Sequence, residues 1–227
     1  MQMDYTSLNK VCAKDIYPFP EIEEELESLM GYQYKCFLRL SKEHSQVRMS
    51  KNDEEKTCFH TEEGIYCFTH MPKGLKNSAA TLQRMMDKVL GGQKGRNMEV
   101  YLEVVVKSKT EKSLIEDVEE TLHKLRRVNI KIDPSKCTFG MEEGDFLGYV
   151  VTTQGIKVDP KKVKAILQGP MPRAPDEIQS LSLQLTNISR FIPNMAELML
   201  PVRKSERVWI RRKHLIRQRK LRKLFKR

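Results

Sequence analysis

Two Cys–His pairs, Cys58 with His60 and Cys67 with His70, are the residue types best suited to a metal, because thiolate and imidazole are the ligands of tetrahedral zinc. They flank Glu62, Glu63 and Gly64, turn residues between two β-prone runs, so the spacing predicts a hairpin within 56–71. Side chains alternate along a strand, which puts Cys58 and His60 on one face and separates Cys67 from His70, three positions on. The set fits zinc poorly, and no metal site is expected from it. With Cys12, Cys36 and Cys137 the cysteines number five, never form C-x-x-C, and read as reduced thiols.

A second chemistry lies in the charge. The chain has 227 residues and a net charge of +11. Residues 203–227 hold 13 of the 41 Lys+Arg and one of the 30 Asp+Glu, which leaves 28 basic against 29 acidic residues in the body. Such a tail attracts polyanions, and counterion release makes the binding tight at low salt and weak at high salt. Its apolar residues, among them Val208, Trp209, Ile210, Leu215 and Leu221, fall on nearly opposite sides of a helical wheel and give no clean apolar face. The tail reads first as a solvated polybasic segment, then as a nucleic-acid or nuclear-localisation element, and last as a membrane-surface helix.

Composition bounds the rest. A 39% hydrophobic share, 31% charged residues and a mean hydropathy of -0.55 suit a folded chain with a solvated surface. No run approaches the roughly 20 apolar residues of a membrane span, and residues 1–18 lack the pattern of a signal peptide. The expected location is intracellular, cytoplasm or nucleus, without secretion.

The elements that must position any site follow from periodicity. Short β-prone runs lie in 31–50 and 56–71; Asn77 or Ser78 caps a helix with Ala79, Leu82, Met85, Met86, Val89 and Leu90 on its stripe, ended by Gly91 and Gly92. Residues 98–107 read as strand. Ser113 with Glu116 suggests a capping box for a helix carrying Leu114, Ile115, Val118, Leu122 and Leu125. Strands are expected at 130–132, 146–151 and 156–158, and a helix from Pro160 to Leu167. A breaker-rich linker from Gly169 to Pro175 offers the best internal boundary, with Asp176 capping a helix toward Phe191. The body reads as α+β.

The order of several motifs resembles the reverse transcriptase of gypsy-type long-terminal-repeat retrotransposons and retrovirus-related Pol polyproteins. Asp4-Tyr5-Thr6-Ser7-Leu8-Asn9-Lys10 resembles D-Y-x-x-L-N-K, and Cys12 through Pro20 resembles C-P-K-D-x-Y-P-L-P. Met71-Pro72-Lys73-Gly74-Leu75-Lys76-Asn77 resembles M-P-F-G-L-x-N, and Ala80-Thr81-Leu82-Gln83 resembles A-T-Y-Q. Lys136-Cys137-Thr138-Phe139 and Phe146-Leu147-Gly148-Tyr149 resemble K-C-x-F and F-L-G-[YFH]. The resemblance implies a right-hand polymerase fold: fingers at 1–30 and 51–75, palm at 31–50 and 76–157, a thumb-like helical region at 160–202, and the basic C-terminal tail at 203–227. It also implies RNA-directed DNA polymerisation by two magnesium ions clamped between carboxylates, with template and primer as partners.

Against that pattern the carboxylates have changed. Phe37 through Met49 aligns without a gap on F-L-D-x-x-S-G-Y-H-Q-[IV]-R-M, and Asp has become Arg39, a group that donates hydrogen bonds and cannot coordinate metal. The aromatic that screens the sugar corresponds to His44, followed by Gln46. The second site should read Y-x-D-D with V-K-S-K six positions after the Tyr; here Tyr101-Leu102-Glu103-Val104 reaches Val106-Lys107-Ser108-Lys109 after five. Glu103 replaces the first Asp, and the second is deleted or replaced by Val104. A one-residue loss flips later side chains unless a bulge absorbs it. Met1 falls just before the first motif, so the upstream basic residues that hold the triphosphate are expected to be missing.

The expectation is a truncated, inactive copy with Arg39, Glu103 and Val104 at non-functional ligand positions and no cofactor. Its rivals are a non-catalytic nucleic-acid-binding protein and a transposon relic. Nucleotide or template contacts carried over by motif are His44, Gln46, Lys73, Gly74, Asn77, Gln83, Leu147 and Gly148. Lys107, Lys109 and Lys112 read either as a solvated face or as phosphate contacts.

Overall fold

The computed structural model describes residues 3–170, 172 and 174–200; the polybasic segment 203–227 lies outside them. The described chain runs through β1 Tyr34–Leu38, β2 Phe59–Thr61, β3 Gly64–Tyr66, β4 Met98–Tyr101, β5 Glu103–Ser108, β6 Thr138–Met141, β7 Gly144–Phe146, β8 Tyr149–Val151 and β9 Ile156–Val158. Its helices are α1 Thr6–Val11, α2 Ile22–Glu27, α3 Lys51–Glu54, α4 Ser78–Leu90, α5 Glu111–Arg127, α6 Pro160–Gln168, α7 Pro175–Thr186 and α8 Met195–Leu198. The mixture is α+β, and it divides into two units, Met1–Lys157 and Val158–Arg227. That division precedes α6 and does not fall at the breaker-rich linker from Gly169 to Pro175.

In the first unit the central sheet has the order β4-β5-β1-β6, with β1 antiparallel to β5 and to β6. Alternation on its strands builds two cores. Cys36 and Leu38 of β1, Val104 and Val106 of β5, and Met98 and Val100 of β4 face Leu82, Met86 and Leu90 of α4 and Leu114 and Leu125 of α5. Phe37 and Val105 face the other way, onto Leu26, Leu29, Phe146 and Val151. Burying one leucine-sized side chain contributes about 1.5–3 kcal/mol, so these two layers fix which face each strand residue takes. Gly144 permits the second layer: a Cβ there would stand 2.3 Å from Cε2 of Phe37.

Several local expectations are corrected. The cap of α5 is Thr110, whose Oγ1 accepts the Ser113 amide at 3.2 Å, so the box pairs Thr110 with Ser113 and does not involve Glu116. The stretch 146–151 is not one strand: Leu147 and Gly148 take positive φ, 52° and 81°, and turn β7 into β8. Residues 98–107 are likewise two strands folded into a hairpin at Leu102. Only Ile132 of 130–132 pairs, as an isolated bridge with Leu40, while β6 forms without having been expected. Helix α7 is capped at Ala174 with Pro175 inside its first turn, where a missing N–H costs nothing.

The second unit packs α6 with α7, and among its described residues Ile178, Ile188 and Met199 are the buried apolar side chains. No helix among the described residues is long and apolar enough to cross a membrane.

Candidate polymerase site

Leu38 pairs with Val104 across β1 and β5, and the chain one step outward from that pair carries Arg39 and Glu103. Alternation places both on the face of Phe37 and Val105. Arg39 Nη1 donates to Glu103 Oε1. The Arg39 backbone is fixed as well: its N–H meets Cys137 Sγ at 3.3 Å and its carbonyl accepts the Asp133 N–H at 2.8 Å. Burial pushes the Glu103 carboxyl above the ordinary carboxylate range, against the pull of Arg39 in the other direction. The two side chains remain 41% and 28% exposed, so the pair is worth about 0–1 kcal/mol and its consequence is chemical: the one carboxylate is occupied by a cation.

Val104 is fully buried and points into the α4–α5 core, away from that pair. Residues Tyr34 to Leu38 pair with Ser108 to Val104 without a break, so no bulge interrupts β5. The turn is tight: Tyr101 pairs directly with Glu103 and Leu102 alone spans them at φ 58°, which is where the residue loss implied by the motif resemblance would fall. A left-handed backbone costs a leucine about 1–2 kcal/mol. Gln83 of α4 offsets it. Fully buried, its Oε1 accepts the Leu102 N–H at 2.8 Å, and its Nε2 donates to the Val100 carbonyl at 2.8 Å and to Asp87 Oδ1 at 3.1 Å.

The other motif residues form separate attachments. Gln46 joins Ser41 and Lys131 through both amide atoms, at 2.5 Å to Ser41 O, 2.8 Å to Lys131 O and 2.6 Å from Lys131 N. His44 Nδ1 lies 3.2 Å from Glu43 Oε1; desolvation pushes the Glu43 carboxyl up, but its own backbone N–H first, and then the charges of His44 and exposed Lys73, hold it below the ordinary carboxylate value. Gly74 has φ 96°, which favours glycine, and its carbonyl accepts Asn9 Nδ2 at 2.8 Å. Asn77 occupies the cap position of α4, but its amide instead binds Ala13 O at 2.9 Å and Asp15 N at 3.1 Å. Leu147 packs on the Phe37–Val105 layer. Arg39 and Glu103 are thus brought together, and Leu147 shares their sheet face, whereas Gln83 and Val104 serve the opposite side.

Lys107 corrects both readings given to it. It is 3% exposed, donates to Glu99 Oε1 at 2.5 Å and to Ser28 O at 2.9 Å, and faces the Tyr32 ring at 4.9 Å. Lys109 and Lys112 are exposed. Motif spacing carried no signal for the buried Glu99–Lys107 pair; alternation with Val105 puts Lys107 on the covered face of β5, and the pairing of β4 with β5, Glu99 opposite Val105, brings Glu99 to it.

A magnesium pair needs converging carboxylate oxygens. At the three positions where carboxylates are expected, the side chains are a guanidinium, a carboxylate bonded to it, and a buried valine, which do not fit such a pair. Among the described residues no group of three or more His, Cys, Asp or Glu is placed to hold a metal ion.

Residues 1–151 match the family described as reverse transcriptase (RNA-dependent DNA polymerase). The chain belongs to that family, on the side of the retrotransposon Pol polyproteins. It is 37% identical over 202 residues to the retrovirus-related Pol polyprotein from transposon 297 of Drosophila melanogaster, covering 88% of this chain and 19% of that protein. Against the corresponding polyprotein from transposon opus of the same fly it is 34% identical, covering 89% and 20%. The chain therefore spans about a fifth of the length of these relatives. Its fold is similar to that of the foamy viral protease-reverse transcriptase in complex with RNA/DNA hybrid, at TM-score 0.80 and 22% identity over 88% of this chain and 27% of that one. The same viral protein in complex with double-stranded DNA, in its dRH form, gives 0.81 over 88% and 35%.

Proposed function

We propose that this reverse-transcriptase domain does not polymerise DNA, because the Arg39–Glu103 ion pair takes the place of its two-metal centre. Metal ions stabilise the attacking and leaving oxygens by several kcal/mol, and about 1.36 kcal/mol is tenfold in rate, so their loss lowers the rate by about 10³-fold or more. The observation that carries the reading is the contact of Arg39 Nη1 with Glu103 Oε1, with Val104 turned into the opposite core. Fingers at 1–30 and 51–75, palm at 31–50 and 76–157 and a thumb from 160 onward are the assignment we adopt, and the motif residues His44, Lys73, Gly74 and Leu147 are its nucleic-acid contacts.

The foamy viral relatives in fold were captured with RNA/DNA hybrid and double-stranded DNA, which supports nucleic acid as the ligand of this chain too. In this reading binding survives where chemistry does not, and the basic stretch 203–227 adds a non-specific anchor. Primer extension on an RNA template with Mg²⁺ or Mn²⁺, run beside a binding assay on the same duplex, tests it. Binding without extension is expected; metal-dependent extension overturns the proposal.

A further inference from the structure

The two exposed cysteines of the first unit, Cys58 and Cys67, stand at the open end of the β2–β3 hairpin. The two-residue loop Glu62–Glu63 puts Thr61↔Gly64, His60↔Ile65 and Phe59↔Tyr66 in register, so the next pair outward is Cys58 with Cys67. Counting the alternation from the loop makes it a non-hydrogen-bonded pair, the kind with Cα atoms about 4.5 Å apart and side chains closest together. That lies within the Cα range a disulfide spans, about 4.4–6.8 Å.

Both sides of the pair are fixed. Inward, Phe59 and Tyr66 stack at 6.1 Å between ring centroids; outward, the Phe68 N–H donates to Thr57 Oγ1 at 3.1 Å. Cys58 is in extended conformation, with φ -62° and ψ 145°. The Cys67 thiol, after desolvation, is a cause of the upward shift of the Cys58 thiol, as two facing thiols require. Cys36 is buried, and Cys12 and Cys137 are half-buried.

We propose that Cys58 and Cys67 are a redox modification site, closing into an intramolecular disulfide when the chain meets a low-molecular-weight disulfide such as oxidised glutathione. One cysteine thiolate attacks a glutathione sulfur, that S–S bond breaks, and a glutathione thiolate leaves with the proton the cysteine gave up. The second cysteine thiolate then attacks the protein sulfur of the mixed disulfide and displaces the second glutathione, which takes the second proton. Two protein thiols are oxidised and one glutathione disulfide is reduced to two thiols. Strands of three residues make a hairpin that is marginal alone, so the cross-link changes the local stability of this segment more than that of the sheet.

The test is peptide mapping by mass spectrometry, without reduction, after equilibration of the whole chain in glutathione buffers of increasing oxidised fraction. The expected product is a Cys58–Cys67 linked peptide lighter by two hydrogens, without glutathione, while Cys58→Ser and Cys67→Ser each trap glutathione on the remaining cysteine. Separate stable glutathione adducts on both cysteines of the unsubstituted chain, linkage of either to Cys12 or Cys137, or no reaction at either overturns the proposal. Circular dichroism of the serine variants establishes that they are folded.

Discussion

Arg39 and Glu103 face each other one step beyond the Leu38↔Val104 pair, so the end of the β1–β5 ladder is closed by an ion pair. The guanidinium pulls the Glu103 carboxyl down while burial pushes it up, with burial dominant. Removing the guanidinium leaves only the upward push. In Arg39→Ala the Glu103 carboxyl should titrate at higher pH than in the parent chain, followed by carboxyl-carbon NMR, while stability to urea changes by less than about 1 kcal/mol. An unchanged titration would mean that the two side chains do not interact in solution.

Gln83 holds the shortened turn from the α4 side. Gln83→Ala leaves the half-buried Leu102 N–H and the buried Val100 carbonyl unpaired. It should cost about 2–4 kcal/mol in urea unfolding, as loss of the hydrogen bonds to Leu102, Val100 and Asp87 and a small cavity require. A cost under 0.5 kcal/mol contradicts this role.

Restoring the family's acids in place should fail at Val104. Val104→Asp puts a carboxylate among Leu38, Val106 and Leu82 with no partner and should cost about 3–5 kcal/mol. The triple replacement of Arg39, Glu103 and Val104 by Asp therefore loses stability before it gains a metal site, visible as a lower midpoint in thermal unfolding. A triple variant as stable as the parent and active in extension would show that the turn can rearrange.

Lys107 and Glu99 are paired out of water. Lys107→Met alone strands the Glu99 carboxylate and should cost about 3–5 kcal/mol, whereas adding Glu99→Leu should recover most of it, because apolar replacement of both partners is often neutral. Urea unfolding of the two variants gives the comparison. A double variant less stable than the single one refutes the pairing.

Glu25 carries the clearest pH dependence. It is 4% exposed, one carboxylate oxygen has no hydrogen-bond partner among the described residues, and Lys94 Nζ lies 3.3 Å from the other. Desolvation first and the Glu99 charge second raise its pKa above 4.5, with Lys94 opposing. Lys94 also reaches Asp87, and Lys107 neutralises Glu99. A raised carboxyl contributes stability below its unfolded value, lost as pH rises through the folded one. The parent chain should therefore lose stability relative to Glu25→Gln on going from pH 4 to pH 7, read as the difference between their thermal midpoints. A difference constant across that range contradicts the assignment.

The sequence was most legible where interactions are local. The stripe of α4, the β2–β3 hairpin and the proline start of α6 follow from period and turn chemistry; α4 starts at Asn77 as its residue type suggests, though the Asn77 amide caps nothing. Turns bearing positive φ on Leu102 and Leu147 were not legible, because leucine has no preference for that backbone and only Gln83 and the Phe37–Val105 layer hold it there. The motif resemblance drew attention to Arg39, Glu103 and Val104 before any geometry did. That Arg39 and Glu103 would meet, and that Lys107 would be buried on Glu99, depended on pairing between β1, β5 and β4, which periodicity within one strand does not specify.

If Arg39 and Glu103 replace the metal centre, no pair of divalent cations binds beside them. Electron paramagnetic resonance titration of the whole chain with Mn²⁺, in the presence of primer–template and nucleotide, measures it directly, with Glu103→Gln as the reference. Identical binding curves are expected for the two proteins. Two additional tightly bound ions in the parent chain, lost in Glu103→Gln, would contradict that replacement.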